Sequence, residues 1–291
     1  RNFKKSMMPF SLLTSLPSRL TGLLTSANLF GYGEAFLNPQ WSVFVEYLES
    51  EGINTFIETN GMFLDFSNLA TQTGLSEIGF SVDGFHAETN DHIRKGSSLN
   101  FIKENIKALR AKDKDIYVRI VFCGRRSNIK EFPLLVSLAK ELLVNEVKFV
   151  HMVAYSEKDQ QEILYYFQQE TDRYLEEALN LGKELGVKVS IPAGLYKEYK
   201  EKPKCARPWK QLFIGADGAV KPCMLYNETL GNINSLTFFD IWNSEVYKNI
   251  RKTVNTQDAF NLCANCPEYN SMDIMNEKSY MQWEVKIGNE R

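Results

Sequence analysis

The amino-acid sequence predicts an α/β protein: a parallel sheet of repeated βα units, closed part-way towards a barrel, followed by a small second domain. Three observations lead there. Short apolar runs rich in β-formers alternate with longer segments of helical spacing. Gly52, Gly74 and Gly186 follow helical segments just before the next strand, where the left-handed cap of a helix favours glycine. Polar residues recur at or just beyond the C-terminal ends of strands. In a closed or partly closed barrel those ends share one mouth, whereas an open doubly wound sheet spreads them along an edge.

The first strand is expected over Ala27 to Gly31, followed by Gly33-Glu34 and a helix from Pro39 to Glu51. Ile53 to Glu58 leads into Thr59-Asn60-Gly61 and a helix from Leu64 to Thr73. Glu77 to Ser81 runs into Val82-Asp83-Gly84, then a helix from Leu99 to Lys112. Strands over Ile116 to Phe122 and Val147 to Val153 flank a helix from Ile129 to Leu143, and a helix from Gln161 to Leu185 delivers the strand Val187 to Ile191. Beyond it the texture changes to Pro192, Pro203, Pro208 and Pro222 with glycines, short strands and a helix from Leu236 to Lys252. The expected domains are therefore 1–192 and 193–291.

With 291 residues, 44% of them hydrophobic, the chain can bury one large core and a small appended module. A net charge of -2 gives no general attraction to phosphate backbones or acidic membrane surfaces, so neither nucleic acid nor membrane is an expected partner. No run reaches the ~18 apolar residues of a membrane span, and Arg1-Asn2-Phe3-Lys4-Lys5 lacks the apolar centre of a signal peptide. The expected location is cytoplasmic, where thiols stay reduced.

Four of the five cysteines lie in the last third, which points to metal ligation rather than disulfides; Cys123 reads as a small buried residue. Cys205 and Cys223 are separated by seventeen residues, within which Leu212 to Val220 reads as a hairpin turning at Asp217-Gly218. Such a hairpin brings its flanking cysteines together, and Cys263-Ala264-Asn265-Cys266 adds a CxxC knuckle. Four thiolates suit zinc and a [4Fe–4S] cluster alike.

Taken in order, Gly218-Ala219-Val220-Lys221-Pro222-Cys223, Leu230-Gly231-Asn232-Ile233, Asp240-Ile241-Trp242-Asn243 and Cys263-Ala264-Asn265-Cys266-Pro267 resemble the SPASM/Twitch domain of radical S-adenosylmethionine (SAM) enzymes. The resemblance extends over almost the whole chain. Phe30-Gly31-Tyr32-Gly33-Glu34-Ala35 is similar to that family's GGEP segment, with Ala35 in place of proline; Asn60 stands in a TNG-like segment, and Ser81-Val82-Asp83-Gly84 resembles its S-x-DG segment. The resemblance implies a partial (β/α)6 TIM-like barrel with a small C-terminal Twitch/SPASM-type iron–sulfur domain. It implies SAM held by Gly33, Glu34, Asn60, Ser81, Asp83 and Arg119, with Val153 packing the adenine. It further implies an auxiliary [4Fe–4S] cluster on Cys205, Cys223, Cys263 and Cys266.

The family's CxxxCxxC loop is absent, since no cysteine precedes Cys123, and Arg1 to Phe10 looks like the residues that follow that loop. The expectation is that the first strand and a second [4Fe–4S] cluster belong to a missing N-terminal segment. No cysteine follows Cys266, so a single auxiliary cluster is implied. The implied activity is hydrogen abstraction by a 5′-deoxyadenosyl radical, with the auxiliary cluster in electron transfer, leading to oxidation or epimerisation of a small molecule or peptide. A flavodoxin- or ferredoxin-type donor would supply electrons. The alternative is a non-catalytic iron–sulfur or zinc-binding protein. Tyr155, Tyr226 and Arg207 are candidate general bases by position alone, and His86, His92 and His151 read as non-ligands.

Overall fold

The computed structural model describes residues 7–14, 24–31, 33–62, 73–152, 157–191 and 204–264. The chain divides into two compact units, Thr25–Lys197 and Arg1–Leu24 with Glu198–Arg291.

The first unit is a six-stranded parallel sheet of β1 (Ser26–Leu29), β2 (Asn54–Thr59), β3 (Glu77–Ser81), β4 (Tyr117–Gly124), β5 (Glu146–His151) and β6 (Lys188–Ser190). The strands lie in sequence order, each parallel to the next. A doubly wound sheet reverses its order at a switch point; this one does not, and crossovers of one hand then put every helix on the same face. Those helices are α1 (Trp41–Ser50), α2 (Ala87–Ile93), α3 (Leu99–Lys112), α4 (Phe132–Glu141) and α5 (Gln168–Leu185). Alternate strand residues such as Ile57, Ile78, Phe80, Ile120, Phe122, Val147 and Phe149 join Val45, Ile102, Ile106, Leu135 and Leu138 in one core. The pleat sends the intervening residues to the other face. That second row carries the polar residues Glu58, Ser81, Arg119, Glu146 and Lys148 beside the apolar Phe56 and Val121.

Helix α3 has the expected bounds, capped by Ser98, whose hydroxyl accepts from Phe101 N at 3.4 Å. The segment expected to be helical from Ile129 begins instead as a 3-10 turn over Ile129–Glu131. Pro133 then stands in the first turn of α4, where its missing N–H is no loss. The segment expected to be helical from Gln161 forms 3-10 turns, and α5 starts only at Gln168. Helix α2 was not expected, because its sequence AETNDHI carries no apolar period. The helix expected over Leu64 to Thr73 falls almost wholly outside the described residues.

In the second unit β7 (Phe213–Ile214), β8 (Ala219–Lys221) and β9 (Gly231–Asn232) form an antiparallel sheet. The hairpin turns where expected: Gly218 takes φ 82°, and Asn232 Nδ2 donates to Asp217 O at 2.9 Å. Helices α6 (Arg207–Lys210), α7 (Phe238–Trp242), α8 (Glu245–Thr253) and α9 (Asn261–Ala264) follow the chain. The single helix expected over Leu236 to Lys252 is two, because a Thr237–Asp240 capping box opens α7 and Ser244 opens α8 by accepting from Tyr247 N at 3.3 Å. Phe238 gathers Leu212, Ile214, Ile233 and Trp242, together with Leu13 and Leu24. Leu13 and Leu24, expected from the sequence in the first domain, thus pack in this unit.

Candidate functional site

At the C-terminal edge of the sheet, Glu34 joins two loops. Its Oε1 accepts from Phe36 N at 3.4 Å, opening the turn Ala35–Leu37, and its Oε2 accepts from Asn60 N at 2.9 Å. Ala35 is the first residue of that turn, a position proline also fills well. Asn60 Oδ1 accepts from Met62 N at 2.9 Å, which leaves the amide nitrogen as a donor. Gly61, at φ 72°, sits with the Phe80 ring 3.1 Å from where a Cβ would be, and Asn105 Nδ2 holds its carbonyl at 2.8 Å. A Cβ on Gly33 would meet nothing within 4 Å, so the backbone beside Glu34 faces open space.

Ser81 Oγ donates to Glu58 Oε1 at 3.3 Å. Burial pushes the Glu58 carboxyl above the usual carboxylate range, against the Ser81 hydrogen bond and the charges of Lys148, Arg94 and Arg119. The sequence offered Glu58 only as the flank of the Asn60 segment; its place on the polar face beside Ser81 is the signal that could have singled it out.

Two expected SAM ligands are committed elsewhere. Asp83 is buried; its Oδ1 accepts from Cys123 N at 2.8 Å and its Oδ2 pairs with Arg94 at 3.2 Å. Asn128 Nδ2 bridges the carbonyls of Asp83 and Cys123 at 2.9 and 3.0 Å. Asp83 is therefore a tie between the ends of β3 and β4. Arg119 lies near the N-terminal end of β4, in register with Gly79 and Glu146. Its guanidinium pairs with Glu77 and, at 3.6 Å, with Glu146, and lies 4.7 Å over the Phe56 ring. Burial works to raise Glu146, but hydrogen bonds from Ser190 and Tyr117 and the charges of Arg119 and Lys188 hold it below the usual range. Arg119 thus belongs to an ion-pair network at the edge opposite Glu34. Cys123 is the inert thiol expected, pushed up to about 11 by burial and by Asp83. His151 ends β5 against Phe149, with Nδ1 enclosed and without a partner among the described residues, and burial lowers it to about 4. Val153 and Tyr155 lie outside the described residues.

In the second unit, Asn255 clamps Cys205 by accepting from its N–H at 2.8 Å and donating to its carbonyl at 3.1 Å. Cys223 follows β8, and its carbonyl accepts from Tyr226 N at 3.2 Å. Cys263 N donates to Phe260 O at 2.7 Å. Burial first, then the charges of Glu228, Cys263 and Cys223, push the Tyr226 phenol up to about 12, so it is no general base. The Arg207 guanidinium offers donors and no acceptor, so it is none either. Cys223 and Cys263 thus act on one phenol. Among the described residues no three potential ligands meet as a metal centre; Cys266 lies outside them.

A SPASM model, an iron–sulfur cluster-binding domain, matches residues 205–267, and a radical SAM superfamily model matches residues 25–139. The chain thus carries a radical SAM domain and a SPASM domain. Each match falls within one unit. Similar proteins include the AdoMet-dependent heme synthase of Methanosarcina barkeri (strain Fusaro / DSM 804), 24% identical over 79% of this chain and 72% of that protein. Another is the subtilosin biosynthesis protein AlbA of Bacillus subtilis (strain 168), 24% identical over 73% of this chain. The chain spans 48% of AlbA and 31% of a second Methanosarcina barkeri relative, Fe-coproporphyrin III synthase. Streptococcus suis SuiB shares the fold with TM-score 0.64 at 15% identity, over 83% of this chain and 60% of that one. So does anSMEcpe with bound AdoMet, with TM-score 0.64 at 17% identity, over 99% and 92%.

A radical SAM domain takes SAM with a [4Fe–4S] cluster, and a SPASM domain takes auxiliary iron–sulfur; these are the cofactors of this chain. Thiolates are the donors such clusters require. The SPASM match thereby decides for iron–sulfur over the zinc that four thiolates alone left open. No described helix is long and apolar enough to cross a membrane.

Proposed function

We propose that this chain is the SAM-binding and auxiliary-cluster part of a radical enzyme that oxidises or epimerises a peptide or small molecule. The observation that carries the proposal is the Glu34–Asn60 hydrogen bond, because it brings the two most SAM-like loop motifs together at the edge of the sheet where such folds work. Glu34 offers a carboxylate for an ammonium group, Gly33 leaves room for it, and Asn60 and Ser81 supply polar contacts. Val153 keeps its assignment to the adenine. Asp83 and Arg119 serve the scaffold instead. Bound SAM, reductively cleaved, supplies a 5′-deoxyadenosyl radical that abstracts hydrogen from substrate.

Cys205, Cys223, Cys263 and Cys266 are assigned to the auxiliary cluster. A cluster with four thiolates has no open position, so its role is electron transfer. Residues 1–122 contain no cysteine, so the thiolates of the SAM-cleaving cluster are assigned to a segment outside this sequence. A flavodoxin- or ferredoxin-type protein is the proposed donor. Both substrate classes occur among the relatives: SuiB has been solved with its precursor peptide SuiA, and another relative is a heme synthase.

The test is anaerobic iron and sulfide quantitation with electron paramagnetic resonance. This chain is expected to hold about four irons, lost in Cys223→Ala and Cys263→Ala. The chain joined to a CxxxCxxC segment should hold about eight and release 5′-deoxyadenosine from SAM. Zinc in place of iron, or unchanged iron in both variants, would overturn the assignment.

A further inference from the structure

We propose that Tyr226 donates a hydrogen bond to a sulfur of the auxiliary iron–sulfur centre and thereby raises its reduction potential. The inference rests on the assignment of Cys223 and Cys263 as ligands of that centre. Tyr226 is 3% exposed, and its hydroxyl has no hydrogen-bond partner among the described residues. Buried hydroxyls are almost always satisfied, so an enclosed one of this kind points to an acceptor beyond those residues.

The surroundings say where that acceptor lies. A 3.2 Å hydrogen bond from Tyr226 N to Cys223 O closes a turn that ties the tyrosine backbone to that cysteine. Its ring meets Phe260 edge-on, with centroids 6.3 Å apart, and Phe260 O accepts from Cys263 N at 2.7 Å. The tyrosine is therefore tied to both cysteine segments, by its backbone to Cys223 and by its ring to Phe260. The phenol carries an O–H that a sulfur acceptor can receive. The neighbouring Tyr247 differs, because its hydroxyl already donates to Gln211 O at 3.4 Å. A donor to a cluster sulfur stabilises the more negative, reduced state, and hydrogen bonds of this kind are among the factors that set cluster potentials.

The experiment is a redox titration of the auxiliary cluster in the anaerobic protein and in Tyr226→Phe, followed by electron paramagnetic resonance with iron counted in parallel. The variant is expected to keep about four irons and to titrate at a more negative midpoint; a tenfold loss of preference for the reduced state corresponds to about 59 mV for one electron. An unchanged midpoint at full iron content would overturn the proposal. Should the variant lose iron, electron–nuclear double resonance on the reduced wild-type cluster decides. A proton coupling that disappears in deuterated buffer is expected, and its absence counts against Tyr226. Zinc or no metal in the wild-type protein would instead defeat the assignment of the cysteines, a result distinct from either.

Discussion

One carboxylate, that of Asp83, closes the ends of two strands and neutralises Arg94. Asp83→Ala would strand the Cys123 amide and leave Arg94, itself partly solvated, without its partner, so a loss of about 2–4 kcal/mol is expected in urea unfolding. Glu34→Ala removes the proposed ammonium acceptor, and SAM binding measured by calorimetry should weaken roughly tenfold or more. His151 gives a pH signature. Its folded pKa of about 4 lies below the ordinary 6.5, so the unfolded chain binds the extra proton. The contribution is complete above about pH 6.5 and is lost as pH falls towards 4; between pH 7 and 5 it amounts to about 2 kcal/mol. His151→Phe should flatten that part of the stability curve. Sequence exposed Glu34 and Asn60 because their positions at strand ends are local facts. It could not place Arg119 beside Glu77 and Glu146, which lie 42 and 27 residues away and are brought to it only by the sheet register.

At the scale of elements, α5 and β6 meet at Gly182. A Cβ there would lie 2.5 Å from Val189 Cγ2 and 2.8 Å from Val187 O, the latter a backbone atom with little freedom to retreat. Gly182→Ala would gain up to ~1 kcal/mol of helix propensity but incur a clash of about 1–3 kcal/mol. Net destabilisation in denaturant unfolding is the expected result. Ser244→Ala should cost about 1 kcal/mol, because the α8 cap is all that separates that helix from α7. The apolar period ran through both helices, and only the capping geometry shows the break. Helix α3, with a clear period and a serine just before it, was legible at both ends, whereas α2 had neither cue.

The two units differ in how they are held together. The first rests on a continuous core between sheet and helices, while the second has strands of two or three residues and a small cluster around Phe238. With the auxiliary cluster assigned to this small unit, ligand binding and folding are expected to be coupled there. Removing iron should speed amide exchange across residues 204–264 and leave β2 to β5 protected, as followed by hydrogen-exchange mass spectrometry. Equal loosening of both units would contradict this division.

Strands added in sequence order leave the sheet two unequal margins. At β6 the margin is three residues long and opens on Lys188, a charge that discourages further pairing. At β1 the residues are Ser-Ala-Asn-Leu, uncharged and without proline, and β2 is their one partner among the described residues. The β1 side is thus where a further parallel strand can add, and the first barrel strand assigned to a segment outside this sequence is the strand expected to take it.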